Sequence, residues 1–263
     1  MEIKEKRTKM MGEEKVSKVL VKLAIPGIIA MLINAIYNFV DTLFVGMLGN
    51  TSAMAAVSSL AFALMNQAAN PYGDSAVAGI GIGIKAFVIG MFLILGYNQG
   101  FQPVVGYNYG AKSYNRLFES VKVALKHTTI IATVSTIFFL LFSKEVVSLF
   151  TNDREVIMVG ARFLKAMSLL FPFFGFQQVC AVLFQGLGKG KQAFVLSIAR
   201  QGLFLVPSII ILPRIFELNG VIFSQTVADF FTILITGIFA IKINKELNEE
   251  NENISGIDLK EVG

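Results

Sequence analysis

Long runs of uncharged, mostly apolar residues constrain most strongly how this chain can fold. The clearest runs cover residues 23–40, 86–111, 128–143 and 166–188. A run of about 18 or more apolar residues is long enough to cross a bilayer as a helix. Charged residues make up only 16% of the chain, whereas soluble domains usually carry about 25%. The sequence therefore predicts an all-α, polytopic membrane protein whose main partner is the lipid bilayer.

The apolar pattern predicts six spanning helices and one short dipping segment. The predicted spans lie near residues 19–48, 76–106, 124–150, 156–186, 191–213 and 218–242. The short segment, 53–70, is only weakly apolar because it contains two serines, an asparagine and a glutamine near its centre. If it crossed the bilayer, the basic loop at 107–126 would lie outside the cell, which the positive-inside rule disfavours. If it dips in and returns, every loop satisfies the rule.

Lysine and arginine concentrate in four segments beside the apolar runs. These segments are residues 1–18, 107–126, 187–191 and 242–245. Two other loops, 143–155 and 213–217, mix basic with acidic residues. Because cytoplasmic loops carry the excess of Lys and Arg, we predict a multi-pass protein of the plasma (inner) membrane with both termini in the cytoplasm. The clusters account for the net charge of +5 without a nucleic-acid partner.

One carboxylate, Asp41, falls within the first predicted span. A charged group inside a membrane costs roughly 2.5–3.5 kcal/mol on insertion scales and is by default a candidate for function. Asn34, Tyr37, Asn38 and Asp41 share one helix face, because they are spaced at i, i+3, i+4 and i+7. Such a polar stripe suits the wall of a water-filled cavity that holds a cation or a substrate. The alternative is that Asp41 is a polar packing residue near the membrane interface.

A second group of polar residues lies in the last predicted spans. Arg200 and Asp229 could pair across two helices and neutralise each other, or one of them could contact a substrate. Gln177, Gln178 and Gln201 could line a cavity, or they could be packing residues. We retain all five as candidates for a cavity in the C-terminal part of the chain.

Motifs of catalytic and metal sites are missing from the sequence. His127 has no neighbouring Cys, His or carboxylate at a spacing typical of a metal site. The sequence contains neither a nucleophile elbow nor an HExxH motif. We therefore expect neither an enzyme, nor a cofactor, nor a bound metal.

Several stretches of the chain resemble transporters of the multidrug and toxic compound extrusion (MATE) family. "LAIPGIIAMLINAIYNFVDTLFVGMLGNTSAMAAVS" is similar to the family's first helix and the start of its second. "ALMNQAANPYGDSAVAGIGI" resembles the seventh helix and the start of the eighth, and "NQGFQPVVGYNYGAK" resembles the end of the eighth. "FQGLGKGK", "ARQGLFLVPSIIILP" and "SQTVADFFT" resemble parts of helices ten to twelve.

The resemblance implies an unusual domain organisation. Family members have twelve helices in two six-helix lobes, whereas this chain resembles helix one, parts of helices two and seven, and helices eight to twelve. We predict that an internal deletion joins helix two to helix seven near residues 59–63. The predicted parts are a cytoplasmic tail (1–17), a remnant of the N-lobe (18–58), a C-lobe (59–245) and a second cytoplasmic tail (246–263).

The resemblance also implies a function, which is the exchange of H⁺ or Na⁺ for organic cations or other xenobiotics. Asp41 matches the first-helix acid that takes part in cation coupling in many relatives, and no cofactor beyond the coupling ion is implied. Because rocking between two repeats needs both lobes, this chain would transport only as a homodimer or within a longer chain. The alternative is a membrane fragment, or an interaction module, that does not transport.

Overall fold

Helices dominate the part of the chain that the computed structural model describes, which is residues 9–44 and 53–261. Side chains of residues 34–59 and 254–263 lie outside the described residues. The long and short helices are α1 Val16–Phe44, α2 Ala53–Ala69, α3 Asp74–Gly110, α4 Tyr114–Ser148, α5 Arg154–Ser168, α6 Phe171–Gly186, α7 Gly190–Ile198 and α8 Leu205–Glu261. A 3₁₀ turn, Asn70–Tyr72, precedes α3, and a π-helical segment, Ala199–Phe204, joins α7 to α8. The predicted all-α class is confirmed.

Most predicted spans correspond to helices that are long and apolar enough to cross a bilayer. In the described part of the chain these are Val16–Ile33, Asp74–Gly110, Tyr114–Ser148 and Gly190–Asn253. The helices α5 and α6 pass the same test together, although they are bent by 53° at the break between them. The predicted span at 156–186 is therefore a broken helix rather than a straight one.

The helix α8 breaks at Glu217. Beyond the break the chain turns back and packs antiparallel to the part of α7 and α8 that precedes it, and we call the two parts the arms of a helical hairpin. The backbone of Glu217 has φ 51° and ψ −134°, which lies outside the helical region. Beyond the break, the Ser224 hydroxyl donates to the carbonyl of Ser208 at 3.3 Å. A Cβ atom at Gly220 would lie only 2.2 Å from the Leu212 carbonyl oxygen, so the close approach of the two arms requires glycine. The predicted spans 191–213 and 218–242 form these two arms.

The second arm of the hairpin stays helical to Glu261, well past the predicted end of the last span. The Tyr114 hydroxyl donates to Glu250 Oε2 at 2.8 Å, and the Lys189 ammonium pairs with Glu246. These contacts stabilise a polar helical extension that hydropathy alone does not predict. The predicted start of the C-terminal tail, at residue 246, falls within this helix and stays a prediction.

Within the described residues, the basic segments lie together at one end of the bundle, which we call the basic end. Arg116 Nη2 donates to the carbonyls of Met11 at 3.0 Å and Glu14 at 2.8 Å, and so joins the N-terminal segment to α4. The contacts of Tyr114 and Lys189 with α8 bring the other two segments to the same end. The assignment of this end to the cytoplasm stays a prediction.

The opposite end collects the loops of mixed charge, and we call it the mixed-charge end. There the Tyr72 hydroxyl donates to the Pro213 carbonyl at 3.4 Å, and the Ser75 hydroxyl donates to Glu155 Oε2 at 3.1 Å. Because α1 runs antiparallel to α3, it proceeds from the basic end towards this end. The chain therefore leaves α1 and re-enters α3 on the same side. Between them α2 is one continuous helix, Ala53–Ala69, and the prediction that residues 53–70 dip into the bilayer and return stays a prediction.

Glycines allow α1 to approach α3 at backbone contact. A Cβ atom at Gly96 would lie 2.4 Å from Ile28 Cα, and one at Gly100 would lie 2.4 Å from the Ala24 nitrogen. On the other helix, a Cβ at Gly27 would lie 2.5 Å from the Gly96 oxygen. Small residues spaced by four drive such packing in membranes, where there is no hydrophobic driving force between helices.

Within the described residues, buried apolar side chains form two cores stacked along the bundle. The core nearer the mixed-charge end, which we call the mixed-end core, includes Phe87 and Phe163. The core nearer the basic end, which we call the basic-end core, includes Phe101. Along α3 the change from one core to the other occurs between Ile94 and Tyr97. Polar side chains concentrate at the level where the two cores meet.

Candidate functional site

A polar cavity of about 320 Å³ opens at the level between the two cores. On α6 this level falls between Phe174, in the mixed-end core, and Val179, in the basic-end core. The cavity lies among α3, α6, α7, the π-helical segment and the second arm of α8. Its lining residues are Met91, Leu95, Gln177, Gln178, Ala181, Leu196, Ser197, Ile198, Arg200, Gln201, Thr232 and Thr236.

An ion pair joins the two arms of the hairpin beside this cavity. Arg200 Nε donates to Asp229 Oδ1 at 2.7 Å, and the two side chains are 12% and 8% exposed. Gln225 Nε2 donates to the same carboxylate oxygen at 3.0 Å, and Gln177 Nε2 donates to the Asp229 carbonyl at 3.2 Å. A buried charge is tolerated when it is paired and hydrogen-bonded. The network therefore makes two intramembrane charges compatible with the bundle.

An aromatic ring supports the other side of the guanidinium group. The Arg200 Cζ lies 4.7 Å from the centre of the Phe174 ring, which stacks on Phe171 at 5.5 Å. Such a cation–π contact is strengthened where water is excluded. Arg200 is held between a carboxylate and an aromatic face, so the cavity has a fixed wall whose positive charge is balanced by Asp229.

The π-helical segment positions two adjacent side chains, Arg200 and Gln201, on the cavity wall. Short π-helical turns are rare and occur often at functional sites. Gln201 Oε1 is buried and has no hydrogen-bond partner in the described part of the chain. It is therefore an open acceptor beside the cavity.

The structure brings the second group of predicted site residues together. Gln177, Gln178, Arg200 and Gln201 line the cavity, and Asp229 lies behind Arg200 as its ion-pair partner. The two alternatives for Arg200 are compatible, because it is paired and also reaches the cavity. That these residues bind a substrate stays a prediction.

Sequence reasoning missed other polar residues of this site. Thr232 and Thr236 line the cavity, and Gln225 bonds Asp229. Gln225, Asp229, Thr232 and Thr236 follow one another at intervals of four, three and four residues, so they share one face of α8. That periodicity was the signal that could have identified them.

The first group of predicted residues lies on α1. Asn34, Tyr37, Asn38 and Asp41 fall within Val16–Phe44, but their side chains lie outside the described residues. Their role in a cation site therefore stays a prediction.

His127 belongs to helix packing near the middle of the bundle. Its Nδ1 lies 3.0 Å from the Tyr97 hydroxyl, and the two rings meet edge to face. In the searched, described part of the chain, no group of three or more His, Cys, Asp or Glu side chains is placed to hold a metal ion.

Comparison with known proteins relates this geometry to a family. Residues 58–211 match the family model described as MatE. The chain belongs to the MATE family. The resemblance inferred from the sequence is thereby confirmed, and the matched proteins are transporters rather than enzymes.

Relatives within the MATE family include two staphylococcal proteins. The multidrug export protein MepA of Staphylococcus haemolyticus (strain JCSC1435) is 25% identical over 189 residues, which are 71% of this chain and 41% of that protein. MepA of Staphylococcus aureus (strain MSSA476) is 26% identical over 185 residues, 70% of this chain and 40% of that protein. The match therefore covers well under half the length of these relatives.

Solved MATE structures share the fold. An outward-facing multidrug resistance MATE transporter superposes with a TM-score of 0.69 and 21% identity, covering 74% of this chain and 45% of the other. A MATE crystal structure in the straight conformation gives a TM-score of 0.69 and 22% identity, covering 74% and 44%. At these identities the likeness supports the fold alone.

Proposed function

We propose that this chain acts as part of a MATE-type secondary multidrug exporter, which exchanges H⁺ or Na⁺ for organic cations or other xenobiotics. The observation that carries the proposal is the polar cavity at mid-depth of a MATE-family bundle. Secondary transporters hold their substrates near the membrane midplane, at sites formed by interrupted helices. The cavity lies at the level between the two apolar cores, and the π-helical segment beside it interrupts the α7–α8 helix.

The cavity suits a small organic cation. Its volume of about 320 Å³ is at the lower end of the range of roughly 300–1,000 Å³ for ligand pockets. Met91 and Leu95 provide an apolar wall for an aromatic or aliphatic body. Gln178 and Gln201 provide amide oxygens that can accept hydrogen bonds from an ammonium or amidinium group.

The proposed coupling group is Asp41, with Asn34, Tyr37 and Asn38 on the same face of α1. A carboxylate there can bind a proton or a sodium ion from one side of the membrane and release it to the other. The family resemblance and the helix-face spacing support this role. The proposal includes a multi-pass protein of the plasma membrane with both termini in the cytoplasm.

The proposed parts remain a short N-lobe remnant followed by a C-lobe. The family match begins at residue 58, next to the junction predicted near residues 59–63, and this supports the division. Alternating access by rocking needs two lobes. A second copy of the chain, or a longer chain, would supply the missing lobe.

The second candidate function is a membrane module that does not transport. The observation that favours it is the limited coverage of the relatives, about 41% of the first MepA protein. Such a module would keep the C-lobe packing without an opposing lobe to close the cavity.

Ethidium efflux from cells that express this chain alone decides between the two candidates. Efflux above that of empty-vector cells, lost when the H⁺ and Na⁺ gradients are removed, supports the exporter. Absence of efflux, with the chain verified in the membrane by immunoblot, contradicts transport by this chain alone and favours the module. Cross-linking in the same membranes shows whether efflux accompanies a dimer.

A further inference from the structure

A second cavity, of about 490 Å³, lies at the mixed-charge end and does not belong to the site described above. It is bordered by the start of α3, the end of α4, the exposed face of α5 and the turn of the α8 hairpin. Lys144, Arg162 and Lys165 line it together with Ser75 and Glu155. Basic side chains therefore outnumber the acidic side chain on its wall.

The cations of this cavity are free to bind a ligand. In the described part of the chain no carboxylate lies within 4.0 Å of the charged nitrogens of Lys144, Arg162 or Lys165. Glu155 is the carboxylate of the wall, and it accepts a hydrogen bond from the Ser75 hydroxyl at 3.1 Å. The wall thus carries an uncompensated positive charge.

Two of the three cations, Arg162 and Lys165, lie on α5, which falls within a predicted membrane span. Arg162 and Lys165 are exposed on one face, whereas Phe163 and Leu164 on the opposite face are fully buried in the mixed-end core. Counted from Arg154, the two cations lie about 12 and 16 Å along the helix at 1.5 Å per residue. Long basic side chains at that depth extend towards the membrane interface.

We propose that this cavity binds a phosphate anion, either the headgroup of an anionic phospholipid or free phosphate, through Lys144, Arg162 and Lys165. The guanidinium group of Arg162 can donate two parallel hydrogen bonds to phosphate oxygens, and the lysines act as point charges. Each basic residue near a membrane surface contributes roughly 1 kcal/mol to the binding of anionic lipid, which is about fivefold in affinity.

The test uses the purified full-length chain in detergent micelles doped with phosphatidylglycerol or with phosphatidylcholine. Bound lipid is counted by native mass spectrometry. We expect the double variant Arg162→Gln with Lys165→Gln to bind phosphatidylglycerol at least about tenfold more weakly. The matched control is Lys242→Gln with Lys245→Gln, an exposed pair with the same spacing at the basic end, and it should bind as the parent does.

Two further variants make the result independent of misfolding. Arg162→Lys with Lys165→Arg preserves both charges and should retain binding. Glu155→Gln removes the carboxylate of the wall and should strengthen binding severalfold, which a general loss of structure cannot do.

A second arm identifies the source of the phosphate. Isothermal titration of the lipid-free protein with inorganic phosphate should show binding that the double variant loses, if the site takes free phosphate. Binding confined to phosphatidylglycerol assigns the site to the lipid headgroup. The proposal is overturned if neither ligand binds, or if the control pair weakens binding as much as the double variant.

Discussion

Arg200 and Asp229 lie on opposite arms of one helical hairpin and form an ion pair, with 2.7 Å between Arg200 Nε and Asp229 Oδ1. The pair sits at the level where the two apolar cores of the bundle meet. It therefore joins the arms where a polar cavity interrupts their packing. The same contact places a charged group on the cavity wall without leaving an unpaired charge in the membrane.

Removing one partner of this pair should destabilise the bundle strongly. Asp229→Leu leaves the Arg200 cation buried and unpaired, which typically costs about 3–5 kcal/mol. The free energy of unfolding can be measured by SDS titration in mixed micelles, with helicity as the signal. Adding Arg200→Met to Asp229→Leu should recover part of the loss, because the unpaired charge is then gone.

The control for that experiment is Lys245→Ala. Lys245 and Glu249 are 3.9 Å apart, and their side chains are 79% and 62% exposed. An exposed pair of this kind contributes between about 0 and 1 kcal/mol. If Asp229→Leu cost no more than Lys245→Ala, the pair would not be a structural element of the bundle.

The open acceptor on the cavity wall should matter for substrate binding. Gln201→Leu keeps the size of the side chain but removes the unpaired Oε1 atom. A hydrogen bond of about 1 kcal/mol corresponds to roughly fivefold in affinity. We therefore expect about fivefold weaker ethidium binding to the purified protein, measured by fluorescence anisotropy.

Gln185→Leu is the matched control for the cavity, because Gln185 is exposed and does not line it. It should leave the affinity for ethidium unchanged. Equal affinities for the parent and for Gln201→Leu would show that this acceptor does not bind the ligand.

Much of the fold follows from the sequence because hydropathy and loop charge act locally. The uncharged runs locate the spans, and the Lys and Arg clusters group the loops that meet at the basic end. Arg200 and Asp229 stand out as charges in apolar segments, so the sequence alone identifies both as candidates. The prediction that residues 53–70 dip into the bilayer and return rests on the same loop charges.

The remaining features depend on tertiary contacts that no local pattern encodes. The helix beyond residue 242 is stabilised by Tyr114 and Lys189, which are distant in sequence. The π-helical segment contains Arg200, whose partner Asp229 lies 29 residues further along the chain. Arg162 and Lys165 were not recognised as a group, because sequence alone does not bring Lys144 beside them.

The contact between α1 and α3 should be sensitive to any added side chain. Gly96→Val introduces a Cβ atom only 2.4 Å from Ile28 Cα, which is too close for two carbon atoms. Overpacking of this kind typically costs about 1–3 kcal/mol, occasionally more. We expect a lower thermal midpoint in detergent and faster proteolysis of the N-terminal segment. Gly81→Val is the control, because a Cβ atom at Gly81 meets nothing within 4 Å. Similar losses in both variants would argue against backbone contact between the helices.

The role proposed for Asp41 can be separated from protein folding. Asp41→Asn keeps the shape of the side chain but cannot take up or release a proton. If Asp41 couples transport to an ion, ethidium efflux driven by an imposed ion gradient should fall about tenfold or more, while the amount of chain in the membrane stays the same. Asp74→Asn is a suitable control, because Asp74 is a carboxylate in the first turn of α3 and is not one of the four residues of the predicted polar stripe. Efflux that is unchanged by Asp41→Asn but still dependent on the gradient would place the coupling group elsewhere in the chain, and the Arg200–Asp229 pair would then be the next group to test.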